Sequence, residues 1–124
     1  MCSEIVIYSL PKDQIYHKMY ERSRQGAYVS YMRGKRCVSE DAFFCEISAS
    51  FQFPYYFGEN WAALDECLCD LEWLQFNSIL IVVDDYSTMF AGDEGLKNQL
   101  IKYFTIMVDY WKENNIPVTV WLNN

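Results

Sequence analysis

Two groups of acidic residues have the types and spacing to do chemistry. The first is Asp65, Glu66 and Asp70, which follow the aromatic run Phe53-Pro54-Tyr55-Tyr56-Phe57-Gly58-Glu59-Asn60. Carboxylates fixed on a helix accept charge-assisted hydrogen bonds from lysine or arginine, bidentately from arginine. Rings beside them add apolar contact and exclude water. The second group is Asp84-Asp85, which closes the apolar run 78–83, SILIVV. Two acids at the carboxyl end of a buried strand stand where α/β folds place ligands, and such a pair can hold Mg²⁺. Against that enzymatic alternative, no glycine-rich phosphate loop follows any strand. The single histidine, His17, lies in a polar segment with no serine and acid partners arranged around it. No catalytic residue, cofactor or metal ligand is therefore assigned.

Charge favours the first group. The chain of 124 residues carries a net charge of −7, and no lysine or arginine occurs between Cys37 and Glu94. Most of the basic residues lie at or before Arg36. An acidic middle repels phosphates, which argues against nucleic acid as a ligand. It attracts a basic protein and speeds the encounter. The composition, 52% hydrophobic and 18% aromatic, excludes disorder. No apolar run approaches the roughly 20 residues of a membrane span. The opening Met1-Cys2-Ser3-Glu4 does not read as a secretory signal, so a cytoplasmic location without membrane attachment is expected. Five cysteines at positions 2, 37, 45, 67 and 69 match no disulfide or zinc framework and read as buried free thiols.

The elements that position the acids follow from periodicity. Residues 5–8 read as a strand stopped by Pro11, residues 13–24 as a polar helix ended by Gly26, and residues 27–32 as a second strand before the turn at Arg33-Gly34-Lys35. Ser39 caps a helix over 40–49 with Phe43, Phe44 and Ile47 inward. Pro54 stops that helix, Gly58 permits a backbone turn, and Asn60 caps a helix over 61–70. Leu64, Cys67, Leu68 and Leu71 recur at helical spacing and form its core face, with Ala62, Glu66 and Asp70 opposite and Asp65 beside them. The run 78–83 reads as a strand covered on both faces. A long helix over 94–114 with Leu96, Leu100, Phe104, Met107 and Trp111 inward precedes a last strand over 118–122. The whole is an α/β domain with a small parallel sheet packed by helices and right-handed crossovers.

The stretch from Phe53 to Asn60, followed by Ala63-Leu64 and Cys67-Leu68, resembles the signature of the barstar family of ribonuclease inhibitors. The similarity covers about 27–122. It leaves residues 1–26 as an N-terminal extension, a strand and helix packed on a barstar-like domain at 27–124. The resemblance implies three parallel core strands, with the added strand at a sheet edge. It also implies a protein that plugs the active site of a basic ribonuclease or nuclease toxin, as immunity proteins do. Tyr56 matches the aromatic leading into the glycine, and Gly58 and Asn60 match the turn that presents the helix. Glu66 stands where the family has its central aspartate, the mimic of substrate phosphate. Ala62 replaces an acid, Asp65 a tryptophan and Asp70 a glycine of the prototype. Cys69 lies on the same surface, and Asp109 and Tyr110 stand near a glutamate of the last helix.

Each of these residues has a plainer reading beside the functional one. Trp61 either stacks where a base would sit or packs in the core. Tyr55 and Phe57 read as packing, Glu59 as the acceptor for a turn amide, and Asp65 and Glu66 could form an ordinary solvated helix face. A barstar-like module with no nuclease partner is the remaining alternative.

Overall fold

The computed structural model describes residues 4–124. Cys2 lies outside them. The order is β1 (Glu4–Tyr8), α1 (Lys12–Arg24), β2 (Ala27–Arg33), α2 (Glu40–Phe51), α3 (Trp61–Leu68), β3 (Ser78–Asp84), α4 (Glu94–Glu113) and β4 (Val118–Asn123), with short 3-10 segments at Gly34–Arg36 and Tyr86–Gly92. The strands form one parallel sheet in the order β1-β4-β3-β2.

β3 and β4 are buried along their whole length, as their continuous apolar sequences require. Ile79, Ile81 and Val83 face a large core shared with α2, α3 and α4. Leu80, Val82 and Trp121 face the other way, under Ile15 and Met19 of α1. The chain crosses the sheet from β1 to β2 over the α1 face. It then returns from β2 to β3 and on to β4 over the opposite face. Direction and face reverse together, so all three crossovers share one hand.

Capping fixes where the helices begin. Ser39 Oγ accepts from Ala42 N at 3.2 Å, Asn60 Oδ1 from Ala63 N at 2.8 Å and Asp93 Oδ1 from Leu96 N at 3.1 Å. The ends differ from the periodicity reading. α2 runs on to Phe51 and closes with Gln52 at φ +54°, whereas α3 stops at Leu68. Cys69 and Asp70 thus lie in the turn after α3, before Leu71 at φ +51°. The segment Tyr86–Gly92 is irregular, with Phe90 and Ala91 at φ +56° and +53°, and periodicity gives no sign of it. Gly34 does more than make a turn: a Cβ there would sit 2.6 Å from the carbonyl oxygens of Asp84 and Asp85. The thiols also divide. Cys37 and Cys67 are buried, the Cys37 thiol being pushed up to about 12 by burial, but Cys45 is exposed, against the expectation that every thiol is packed.

Asp84 ties the sheet's carboxyl edge together. Its Oδ2 accepts from Lys12 Nζ at 2.9 Å and Tyr31 Oη at 2.8 Å, and its Oδ1 from Asn123 Nδ2 at 3.1 Å and the Asp85 amide at 3.0 Å. Asn123 also closes on the Leu10 backbone, accepting at 2.8 Å and donating at 3.0 Å. Burial alone would raise the carboxyl pKa. The hydrogen bonds from Lys12, Tyr31 and Asn123 outweigh it and hold the pKa below the usual range.

A folded-state pKa below the unfolded value means that the ionised form stabilises the fold above about pH 4, and that this is lost as pH falls through the folded value. Asp84→Asn is expected to cost about 2 kcal/mol at pH 7, because donors to a charged acceptor lose it, and to flatten the loss of stability in acid. Urea denaturation of both proteins at pH 7 and pH 3 checks this; equal stability at pH 7 would contradict it.

Candidate protein-binding site

The aromatic stretch is a turn held from below. Phe57 N donates to Pro54 O at 3.0 Å, which makes Tyr55 and Tyr56 the central residues of a β-turn. Phe53 stacks on Phe51 at 5.8 Å and meets Phe57 at 4.8 Å, and Phe57 packs edge-on against Phe44 at 6.1 Å. Phe57 is therefore packing, as the plainer reading holds. Tyr55 is not: its relative exposure is 101%, and that of Tyr56 is 57%.

The entry to α3 corrects the glycine argument. The left-handed residue is Glu59, at φ +51°, while Gly58 has no positive φ. Gly58 sits close to the cap: a Cβ there would lie 3.2 Å from Asn60 Nδ2, a tight contact, and 3.5 Å from Ala63 Cβ, an ordinary one. Asn60 Nδ2 also donates to Gly58 O at 3.1 Å, which closes the cap from both sides. The Glu59 carboxylate meets the Cys45 thiol, Sγ to Oε1 3.9 Å, and not a turn amide.

On α3, Leu64, Cys67 and Leu68 are buried and Leu71 follows them into the core. Ala62, Glu66 and Asp70 are exposed and Asp65 is half-buried. Cys69 Sγ donates to Asp65 Oδ1 at 3.9 Å, and burial, then the Asp65 charge, pushes the Cys69 thiol up to about 11. Cys69 is thus a neutral thiol at ordinary pH, unsuited to nucleophilic chemistry. The Tyr56 phenol pKa is raised by desolvation first and then by the nearby Asp70 carboxylate. The aromatic turn thus lies near the acidic residues that follow α3.

Trp61 is a packing residue. Its ring stacks on Phe43 at 5.5 Å and on Tyr103 of α4 at 5.2 Å, and its Nε1 donates to Glu40 Oε1 at 3.2 Å. Little of the ring is left for a partner. At the other end of α3, Trp111 Nε1 donates to Leu68 O at 2.8 Å, so α3 lies along the second half of α4. Tyr110 is 40% exposed and packs edge-on against Trp111 at 5.2 Å, on the α4 flank nearest α3. Asp109, roughly 100° further round the helix, faces solvent away from α3. The structure therefore gathers Tyr56, Gly58, Asn60, Ala62, Glu66 and Asp70 on one surface, with Asp65, Cys69 and Tyr110 at its margin. Trp61 is beneath that surface and Asp109 apart from it. Tyr55 and Glu72 belong to it and were missed; an unsupported ring at a turn centre was the available signal for Tyr55.

The pair Asp84-Asp85 is differently made. Lys12 Nζ lies 2.9 Å from Asp84 Oδ2 and 3.1 Å from Asp85 Oδ2, so an ammonium group occupies the space between the carboxylates. Among the described residues, no group of three or more His, Cys, Asp or Glu is placed to hold a metal ion. Nor is any helix among them long and apolar enough to cross a membrane.

The family model described as Barstar (barnase inhibitor) matches residues 27–123. The chain belongs to the barstar family. Barstars are described as inhibitors and not as enzymes, and the match takes in the turn, α3 and α4. No curated protein matches the chain. The barstar match begins where β2 begins, so β1 and α1 precede it.

Stability measurements separate the roles of the two α3 residues. Glu66→Ala is expected to change unfolding free energy by about half a kcal/mol or less, as at other exposed positions. Trp61→Ala is expected to cost about 2–4 kcal/mol through lost aromatic packing. Chemical denaturation of both variants tests this, and a Trp61→Ala protein as stable as wild type would refute the packing assignment.

Proposed function

We propose that the protein inhibits a basic ribonuclease or nuclease toxin inside the cell by seating Tyr56 and the outward side of α3 in its active cleft. The observation that carries this reading is the Glu66 carboxylate. It is exposed on a short capped helix and forms no ion pair among the described residues. The stretch around it holds no lysine or arginine to neutralise it. Ribonuclease clefts carry cationic groups that bind phosphate, and a rigid carboxylate substitutes for that phosphate. Asp70 and Tyr56 extend the surface on one side, and Asn60 and Gly58 hold its angle. Ala62 and Asp65 depart from the pattern of the prototype barstar, which supports a target other than barnase.

Four outcomes follow from this reading. Glu66→Ala should weaken binding of the cognate nuclease by about 2–5 kcal/mol, because the partner's buried cation loses its acceptor. Asp84→Asn, where folded, should bind at wild-type strength, which the Mg²⁺-enzyme alternative does not predict. Calorimetric titration of both variants decides the matter, and full-strength binding by Glu66→Ala would sink the plug. In stopped-flow measurements, association should slow as salt rises, since exposed charges are screened within roughly 8–10 Å at physiological ionic strength. Barnase itself should be inhibited weakly or not at all in a ribonuclease assay; tight inhibition would show that Ala62 and Asp65 do not set specificity.

A further inference from the structure

Tyr55 is the most exposed large hydrophobic side chain among the described residues, at 101%. The central positions of β-turns favour proline, glycine, asparagine and aspartate, for backbone reasons that a tyrosine does not share. Turn formation therefore does not explain a tyrosine here. Core packing does not explain it either, because its one ring contact is edge-on to Tyr56 at 6.0 Å.

The ring is nonetheless presented by a stiff base. The residues flanking the tyrosines are Pro54 and Phe57, bonded across the turn at 3.0 Å. Phe53 and Phe57 are locked into the aromatic layer under the turn. A tyrosine on a fixed backbone loses only two side-chain torsions on binding, a small entropic cost for the area it offers. The surroundings select the partner's charge. Asp70 and Glu72 place negative charge near Tyr56, whose ring meets Tyr55, and no lysine or arginine occurs between Cys37 and Glu94. A cation approaching the Tyr55 face is drawn by the ring quadrupole and by these carboxylates together.

We propose that Tyr55 is a specificity-determining contact that reaches past the active cleft to a lysine or arginine on the rim of the target ribonuclease. This rests on the inhibitor reading above. Glu66 supplies the acceptor for the cleft, and Tyr55 supplies a second anchor outside it, set by the rim of one particular nuclease. Full exposure means that substitutions at Tyr55 leave the fold intact.

The probe is the ribonuclease activity produced by the organism that makes this protein, fractionated on a cation exchanger and assayed on RNA. Wild type is expected to inhibit a basic fraction, and Tyr55→Phe to match it within about twofold. Tyr55→Leu and Tyr55→Ala are each expected to raise the half-inhibiting concentration about tenfold, equivalent to roughly 1.4 kcal/mol, with melting temperature unchanged. If both inhibit like wild type while Glu66→Ala is impaired, the Tyr55 assignment is wrong and the inhibitor reading stands. If only Tyr55→Ala is impaired, the contact is apolar and the proposed cation is overturned. If wild type inhibits no fraction, the inhibitor reading fails and takes the Tyr55 contact with it.

Discussion

A parallel sheet has to be covered on both faces, and most of this structure answers that requirement. β3 and β4 are buried throughout. The large core beneath α2, α3 and α4 satisfies one face. The other presents Leu80, Val82 and Trp121, which the residues matching the barstar family leave to α1. β1 is thus paired to β4 within the sheet, and α1 covers its second face. Lys12 is held against Asp84, Arg22 lies over the Trp121 ring at 5.2 Å, and Asn123 grips the Leu10 backbone.

The candidate surface inherits its rigidity from the opposite face. A continuous series of ring contacts runs from Phe51 through Phe53 and Phe57 to Phe44, Trp61 and Tyr103. It is anchored by Trp73 Nε1 donating to Phe51 O at 2.9 Å. This layer joins α2, the turn, α3 and α4, so the tyrosines above it are held by core packing and not by a free loop. Ordering costs at binding fall accordingly.

Two carboxylates show how the same chemistry serves different ends. Asp84 is buried and accepts from Lys12, Tyr31, Asn123 and the Asp85 amide, so its charge is spent within the fold. Glu66 is exposed on α3 and forms no such ion pair among the described residues. Satisfaction, more than acidity, separates an acid that builds the protein from one available to another molecule.

The sequence by itself determined the layers, the strands, the capped starts of the helices and the core face of α3. These depend on neighbours a few positions apart: Ser39 before Ala42, Asn60 before Ala63, Leu64 before Cys67 and Leu68. It also marked the acidic, lysine-free middle, because charge is read by counting. Tertiary structure alone decided which aromatic residues are available. Trp61 is partly buried because Phe43 and Tyr103 arrive from other helices, while Tyr55, in a run that reads as packing, meets only the edge of Tyr56. It likewise decided that Asp84-Asp85 is a lysine clamp, since Lys12 lies 72 positions from Asp84 in the chain. It placed the left-handed backbone on Glu59 and not on Gly58. Such outcomes depend on which distant groups compete for the same space and the same hydrogen bonds, and local periodicity carries no record of that competition.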